Sequence, residues 1–120
     1  MLRDVVRVFH CDDSSSFRVL VREILGGYDD VEIVGEAGSP EEALAGLGAA
    51  QPDVVLLDLL PPGPRDSLVM EIRQLVPQAR IVVYSGYPVT VSRDRHPDAC
   101  AYLDKAAPFT ALHEALRAAA

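Results

Sequence analysis

The sequence predicts an α/β fold, a five-stranded parallel sheet covered by helices on both faces, and three observations carry that prediction. Val54-Val55-Leu56-Leu57 is a run of four large aliphatics. It is too short for an independent helix and too apolar for a strand with one face in water, so it reads as a strand buried on both faces. Along the rest of the chain, short apolar runs alternate with stretches of helical periodicity, the pattern of parallel strands joined by crossover helices. Finally, a carboxylate, Asp58, closes the central run where the chain leaves the sheet. Open α/β sheets bind their ligands outside the carboxyl ends of their strands.

Taken in order, Val5 to Cys11 reads as the first strand and ends at the acidic pair Asp12-Asp13. Three serines offer N-caps, and Phe17, Leu20, Val21 and Ile24 recur at helical spacing until Gly26-Gly27 stops the helix. Val31 to Ala37 alternates apolar residues with acids or glycine, as expected of a strand nearer an edge. Ser39-Pro40-Glu41-Glu42 starts the second helix with a cap, a proline at the first helical position and a capping box, and that helix runs to about Ala50. Pro52 precedes the central strand. After a loop over 59–65, Leu68, Ile72, Leu75 and Val76 mark a third helix closed by Pro77.

Arg80 to Ser85 is the fourth strand. Between Tyr87 and Cys100, two prolines and the β-branched run Val89-Thr90-Val91 disfavour a regular helix, so a short or irregular fourth helix is expected. Ala101 to Asp104 is a brief last strand, Lys105 follows it, and Pro108 opens a final helix carrying Phe109, Leu112, Ala115 and Leu116 on one face. With right-handed crossovers the natural arrangement is the flavodoxin-like doubly wound order 2-1-3-4-5. That order brings Asp12, Asp13, Asp58 and Ser85 to one mouth, with Lys105 arriving from the fifth strand.

At 120 residues the chain reads as a single domain spanning 1–120, and its alanine-rich end suggests a domain boundary at or near residue 120. A formal charge of −7 argues against a surface for nucleic acid or anionic membrane, because the long-range field repels polyanions. Cys11 and Cys100 lack CxxC spacing and form no zinc pattern with the three histidines, so they are expected to be free thiols in a reducing cytoplasm. The first ten residues are too short and polar for a signal peptide, and no apolar run reaches membrane-spanning length. Lys105 is the only lysine.

Three facing carboxylates repel and raise one another's proton affinity unless a cation neutralises them. A hard divalent ion such as Mg²⁺ prefers oxygen ligands of this kind. Three carboxylates, one such ion and the Lys105 ammonium sum to zero charge. The arrangement suits in-line phosphoryl transfer onto Asp58, a reaction that depends on positioning and on neutralising the transferring oxygens.

The ordered set FHCDD with Asp12 and Asp13, VVLLD with Asp58, VVYSG with Ser85, and AYLDK with Tyr102 and Lys105 resembles the CheY-like receiver domains of bacterial two-component response regulators over essentially the whole chain. The stretch VEIVGEAGSPEEAL further resembles receivers that precede a LuxR-type helix-turn-helix output domain. The resemblance implies that Asp58 is the phospho-acceptor and that Mg²⁺ or Mn²⁺ is the cofactor, with Asp13 a direct and Asp12 a water-mediated ligand. The carbonyl of Leu60 is the third protein ligand it implies. Ser85 and Lys105 would bind the phosphoryl group, Ser85 and Tyr102 would act as the switch pair, and a sensor histidine kinase would be the donor. It also implies a homodimer through the face between helices four and five, and a role in transcription regulation with DNA bound elsewhere than in this domain.

The chain departs from the receiver pattern in three places. Ala106 stands where proline commonly follows the lysine. A cis bond without proline costs roughly 3 kcal/mol, so a trans bond and a rebuilt loop are expected. Asp66 stands near the usual glycine of the acceptor-side loop, and the segment from Tyr87 to Cys100 is short and proline-broken. Leu60 and Tyr87 are bulky where, in the family, water approaches the phosphoryl group, which implies slow hydrolysis.

Each residue also has a plainer reading. Asp12 and Asp13 would suit the dipole of the following helix, Ser85 a strand end, Tyr102 the core, and Lys105 a solvated terminus. The main functional alternative is a pseudo-receiver, a dimerisation or protein-binding module that works without phosphorylation. An aspartyl phosphohydrolase wants a second acid two residues after the first, where Leu60 stands. Flavin binding wants a phosphate loop rich in serine, threonine and glycine directly after the first strand, where the acidic pair Asp12-Asp13 stands instead.

Overall fold

The computed structural model of the chain describes residues 4–58, 68–95 and 97–120. Strands and helices alternate strictly: β1 (Val6–Cys11), α1 (Ser15–Leu25), β2 (Val31–Ala37), α2 (Pro40–Ala50), β3 (Val54–Leu57), α3 (Leu68–Leu75), β4 (Arg80–Ser85), α4 (Val89–Arg95), β5 (Ala101–Asp104) and α5 (Phe109–Ala119). All neighbouring strands are parallel, in the order β2-β1-β3-β4-β5. The expected doubly wound fold is therefore the observed one, with β3 at its centre and β2 at an edge.

Alternation along the strands sorts side chains between two cores. Val55 and Leu57 of β3 join Phe9 and Cys11 of β1 under α2 and α3, while Val54 and Leu56 join Val6 and Val8 under α1 and α5. All four β3 side chains are buried, each contributing about 2 kcal/mol of apolar burial. The strand needs apolar residues on both faces because helices cover both.

Local chemistry bounds α1 and α2 where the sequence marks them. Ser14 caps α1, its hydroxyl accepting the Phe17 N–H. Ser39 does the same for α2 by accepting the Glu42 N–H. The Glu42 carboxylate reaches back to the Gly38 N–H, one residue before the cap. At the other end of α2, Gln51 adopts a left-handed conformation with φ of 46°. There the guanidinium of Arg7 donates to the carbonyls of Gln51 and Ala50 at 2.6 and 2.8 Å. Arg7, which interrupts the apolar pattern of β1, thus satisfies the orphan carbonyls of a helix end.

The fourth helix is short, as expected, and its β-branched residues form its first turn. The Pro88 carbonyl accepts the N–H groups of Val91 and Ser92, which holds that turn despite its low propensity. The first strand begins at Val6, one residue later than the apolar run suggests, because Val5 is exposed. The expected loop over 59–65, and with it Leu60 and Asp66, lies outside the described residues.

One close approach in the sheet carries a stability prediction. The β1–β2 register shifts between Val8 and Phe9, bringing Phe9 opposite Gly35. A Cβ at Gly35 would lie 2.5 Å from the ring of the buried Phe9. Gly35→Ala is therefore expected to destabilise the domain by about 2 kcal/mol through overpacking, measured as a lowered urea midpoint with an unchanged m-value.

Candidate functional site

The site is an extension of the sheet's own hydrogen-bond ladder. Asp12 lies one residue past β1 and its N–H still donates to the Ala37 carbonyl at 2.9 Å. Asp58 lies one residue past β3 and donates to the Cys11 carbonyl at 2.9 Å, and Lys105, one past β5, donates to the Ser85 carbonyl at 2.8 Å. Each backbone is thus held like a strand residue while its side chain projects beyond the strand ends.

The side chains converge as the topology requires. Oxygen atoms of Asp12, Asp13 and Asp58 lie within 4.8 Å of one another. The Lys105 ammonium donates to Asp12 Oδ2 at 2.7 Å and stands 3.1 Å from Asp58 Oδ2. Asp12 is buried, and its second oxygen accepts the Ser14 N–H at 2.9 Å. The Asp12 carbonyl takes the Arg18 guanidinium at 2.5 Å. Asp13 is exposed and Asp58 half-buried. Ser85 is buried at the end of β4, its hydroxyl accepting the Tyr87 N–H at 3.1 Å. Tyr102 is half-buried on β5, with the Arg93 guanidinium 5.4 Å from its ring centre. The Lys105–Ala106 bond is trans, and the rebuilt turn still delivers the ammonium to both acids.

Burial pushes the Asp58 carboxyl up to about 6; the Lys105 ammonium opposes that rise, and the charges of Asp12 and Asp13 add to it. Burial alone would lower Lys105, but its hydrogen bonds and charge contacts with Asp12 and Asp58 outweigh burial and hold it above its ordinary value. The cluster therefore has an excess of negative charge that one lysine does not fully balance. Its donors are all oxygens, the set a hard divalent cation takes.

Three contributors were not legible beforehand. Asp104 accepts the Ala106 N–H through its carboxylate at 2.8 Å and so shapes the turn after Lys105. Phe17 lies with its ring 4.3 Å from the Lys105 ammonium. His10, an interruption of the apolar first strand, is fully buried 3.9 Å from Asp12 Oδ2, and both its ring nitrogens lack a hydrogen-bond partner among the described residues. Helical spacing places Phe17 on the inner face of α1, but nothing in the sequence links it to a lysine 88 positions on.

Burial holds the His10 imidazole near pKa 4, below its ordinary 6.5, against the raising effect of Asp12. The unfolded chain takes up a proton below about 6.5 that the native ring refuses until about 4, so this residue costs stability as pH falls through that window. Asp58 acts in the opposite sense: its native carboxyl stays protonated up to about 6 against 3.8 unfolded, so its contribution is lost as pH rises. His10→Leu is expected to stabilise the metal-free protein by about 1 kcal/mol at neutral pH, by removing unpaired buried polar atoms. The gain should be larger near pH 5, as read from urea unfolding at both pH values.

The family model for the response regulator receiver domain matches residues 8–117. The chain belongs to the response regulator receiver domain family. Receiver domains are the signalling modules of two-component response regulators, and they bind Mg²⁺ at an acidic pocket of the kind formed by Asp12, Asp13 and Asp58. Among curated proteins, the DNA-binding transcriptional activator DevR/DosR of Mycobacterium tuberculosis is 37% identical over 84 residues, covering 69% of this chain and 39% of that protein. This receiver domain thus spans about two-fifths of that relative's length. Among solved structures, a LuxR-family response regulator from Aurantimonas sp. superposes with a TM-score of 0.85 at 25% identity, covering 96% of this chain and 84% of that one. The signal receiver domain of the putative response regulator NarL from Mycobacterium tuberculosis gives 0.80 at 27% identity, with 95% and 98% covered. Among the described residues no helix is long and apolar enough to cross a membrane.

Proposed function

We propose that residues 1–120 work as one receiver unit that accepts a phosphoryl group on Asp58. The observation that carries this reading is the convergence of Asp58, two further acids and the chain's only lysine at the carboxyl ends of the strands. An Asp58 carboxylate oxygen forms the new P–O bond while the P–N bond to a phosphohistidine of a sensor histidine kinase breaks in line. The bonding pair stays on the donor imidazole, which takes a proton from solvent. With acetyl phosphate the bond broken is the P–O bond to acetate.

Asp13, Asp58 and the Leu60 carbonyl would hold Mg²⁺ or Mn²⁺ directly, and Asp12 through water. Both Asp12 oxygens are already engaged, by Ser14 and Lys105, and Asp13 is exposed, which supports that division. When bound, the ion neutralises charge on the transferring oxygens. Lys105 neutralises the carboxylate that receives the group, and the Ser85 hydroxyl leaves the Tyr87 N–H to donate to a phosphoryl oxygen.

That change in Ser85 biases the Tyr102 ring and with it the face formed by α4, β5 and α5, where a second copy would dock. The chain is otherwise no enzyme. Any DNA contact would belong to an output segment outside these 120 residues, consistent with their net charge of −7, and the setting would be the cytoplasm.

Incubation with acetyl phosphate and Mg²⁺, followed by intact mass measurement, tests the reading. One added phosphoryl group, dependent on the ion, is expected. No added mass, and no mass-action stabilisation by beryllofluoride, would leave a pseudo-receiver that signals through protein contact alone.

A further inference from the structure

Lys105 has a long distance to cover. It follows β5, whereas its hydrogen-bond partner Asp12 follows β1, and β4 and β3 lie between them in the sheet. At a strand spacing of about 4.8 Å the two strands are roughly 14 Å apart. The backbone end of the lysine is well fixed: its N–H donates to the Ser85 carbonyl, and the following turn is tied by the Asp104 carbonyl and carboxylate. The rest is a flexible four-carbon stem, and a stem of that kind samples many rotamers unless something confines it.

The confining surface comes from α1. The Phe17 ring lies 4.3 Å from the Lys105 Nζ, within cation–π range. That ring is itself wedged. It tilts against Tyr84 with centres 5.6 Å apart and meets His10 edge-on at 6.4 Å. Tyr84 and His10 are both fully buried, so the ring's position is set from beneath by the core. The ammonium therefore has an aromatic face on one side and the carboxylates of Asp12 and Asp58 on the others.

We infer that Phe17 is a positioning residue for the Lys105 ammonium, its ring face forming, with Asp12 and Asp58, a three-walled seat that holds the amine at the acceptor. The role matters because the turn after Lys105 carries Ala106 and Ala107, which do not restrict the backbone as a proline ring would. The inference rests on the reading of Asp58 as acceptor for its effect on rate, but not for the seat itself.

Because Lys105 is the only lysine, ¹³C-lysine labelling gives a single side-chain ε-methylene signal. In the wild-type chain its protons are expected upfield, shielded by the Phe17 ring. Phe17→Leu keeps an apolar side chain but removes the ring face, and should return the signal to its unshielded position. The same substitution should slow phosphorylation by acetyl phosphate about three- to tenfold, the range a partly exposed cation–π contact corresponds to. Phe17→Tyr should restore both, and Phe17→Met serves as the second ring-free variant should the leucine chain not fold. A lysine signal at the same position in wild type and the ring-free variants overturns the seat, whatever happens to the rate. A slower rate without a moved signal would mark a purely structural defect, and a moved signal with an unchanged rate overturns the effect of the seat on phosphorylation. If the wild-type chain takes up no phosphoryl group, the acceptor reading fails separately and the lysine signal still decides the seat.

Discussion

Asp58→Asn is expected to abolish the Mg²⁺-dependent addition of a phosphoryl group from acetyl phosphate, whereas Asp94→Ala, exposed on α4, should leave it intact. The loss should be complete because the substitution removes the proposed carboxylate nucleophile, which stands between the other acids and the Lys105 ammonium, and retains the fold. Its amide still fits beside the Lys105 ammonium, and its backbone N–H still extends the ladder to the Cys11 carbonyl.

A second readout is independent of phosphate. In wild type the half-buried Asp58 carboxyl is pushed up to about 6, so Asp58 by itself contributes a fall in stability between pH 3.8 and about 6, opposite in sign to the contribution of His10, because native Asp58 there gives up a proton that the unfolded chain has already released. The asparagine variant should lack that slope and melt higher than wild type at neutral pH without metal. Added Mg²⁺ should raise the wild-type melting temperature by mass action and leave the variant nearly unmoved. Phosphoryl addition to the asparagine variant, mapped by peptide mass to another residue, would show that Asp58 is not the acceptor.

Lys105→Met has the largest expected effect on folding. The Asp12 carboxylate has no solvent-exposed surface, and the lysine supplies a 2.7 Å charged hydrogen bond to it. Removing one member of a buried pair leaves the other charge uncompensated, at a typical cost of about 3 kcal/mol. For a domain of this size that lowers the melting temperature by roughly 10 °C. The defect should be greatest in chelator, because a divalent cation could neutralise the same acids. A double-mutant cycle with Asp12→Asn isolates the pair: in the asparagine background the methionine substitution should cost much less. Equal costs in both backgrounds would mean that the lysine acts through its methylene packing rather than its charge.

The two substitutions also explain why the site was partly legible in advance. Asp12, Asp13, Asp58, Ser85 and Lys105 each stand at the end of a strand that could be recognised from its own residues. Once the strand order is granted, strand ends must meet. Tyr102 was legible as a residue of β5, but its contact with Arg93 was not, because α4 is a short element of weak propensity. His10 was hidden by its setting: within an apolar strand a histidine reads as packing, and burial without a partner is visible only in three dimensions. Phe17 was hidden in the same way, since helical periodicity assigns a residue to a face without saying what lies above it.

Strand and helix identity, the helix caps at Ser14 and Ser39, and the burial of Val54–Leu57 on both faces follow from periodicity and local chemistry within a few residues, so the order of amino acids was enough to state them. The Asp12–Lys105 contact joins residues 93 positions apart, and the Phe17–Lys105 contact joins segments almost as remote. No local pattern carries that distance. It was set by the packing of α1 and β5 on a common sheet, which places an ammonium, two carboxylates and an aromatic face within a few ångströms of one another.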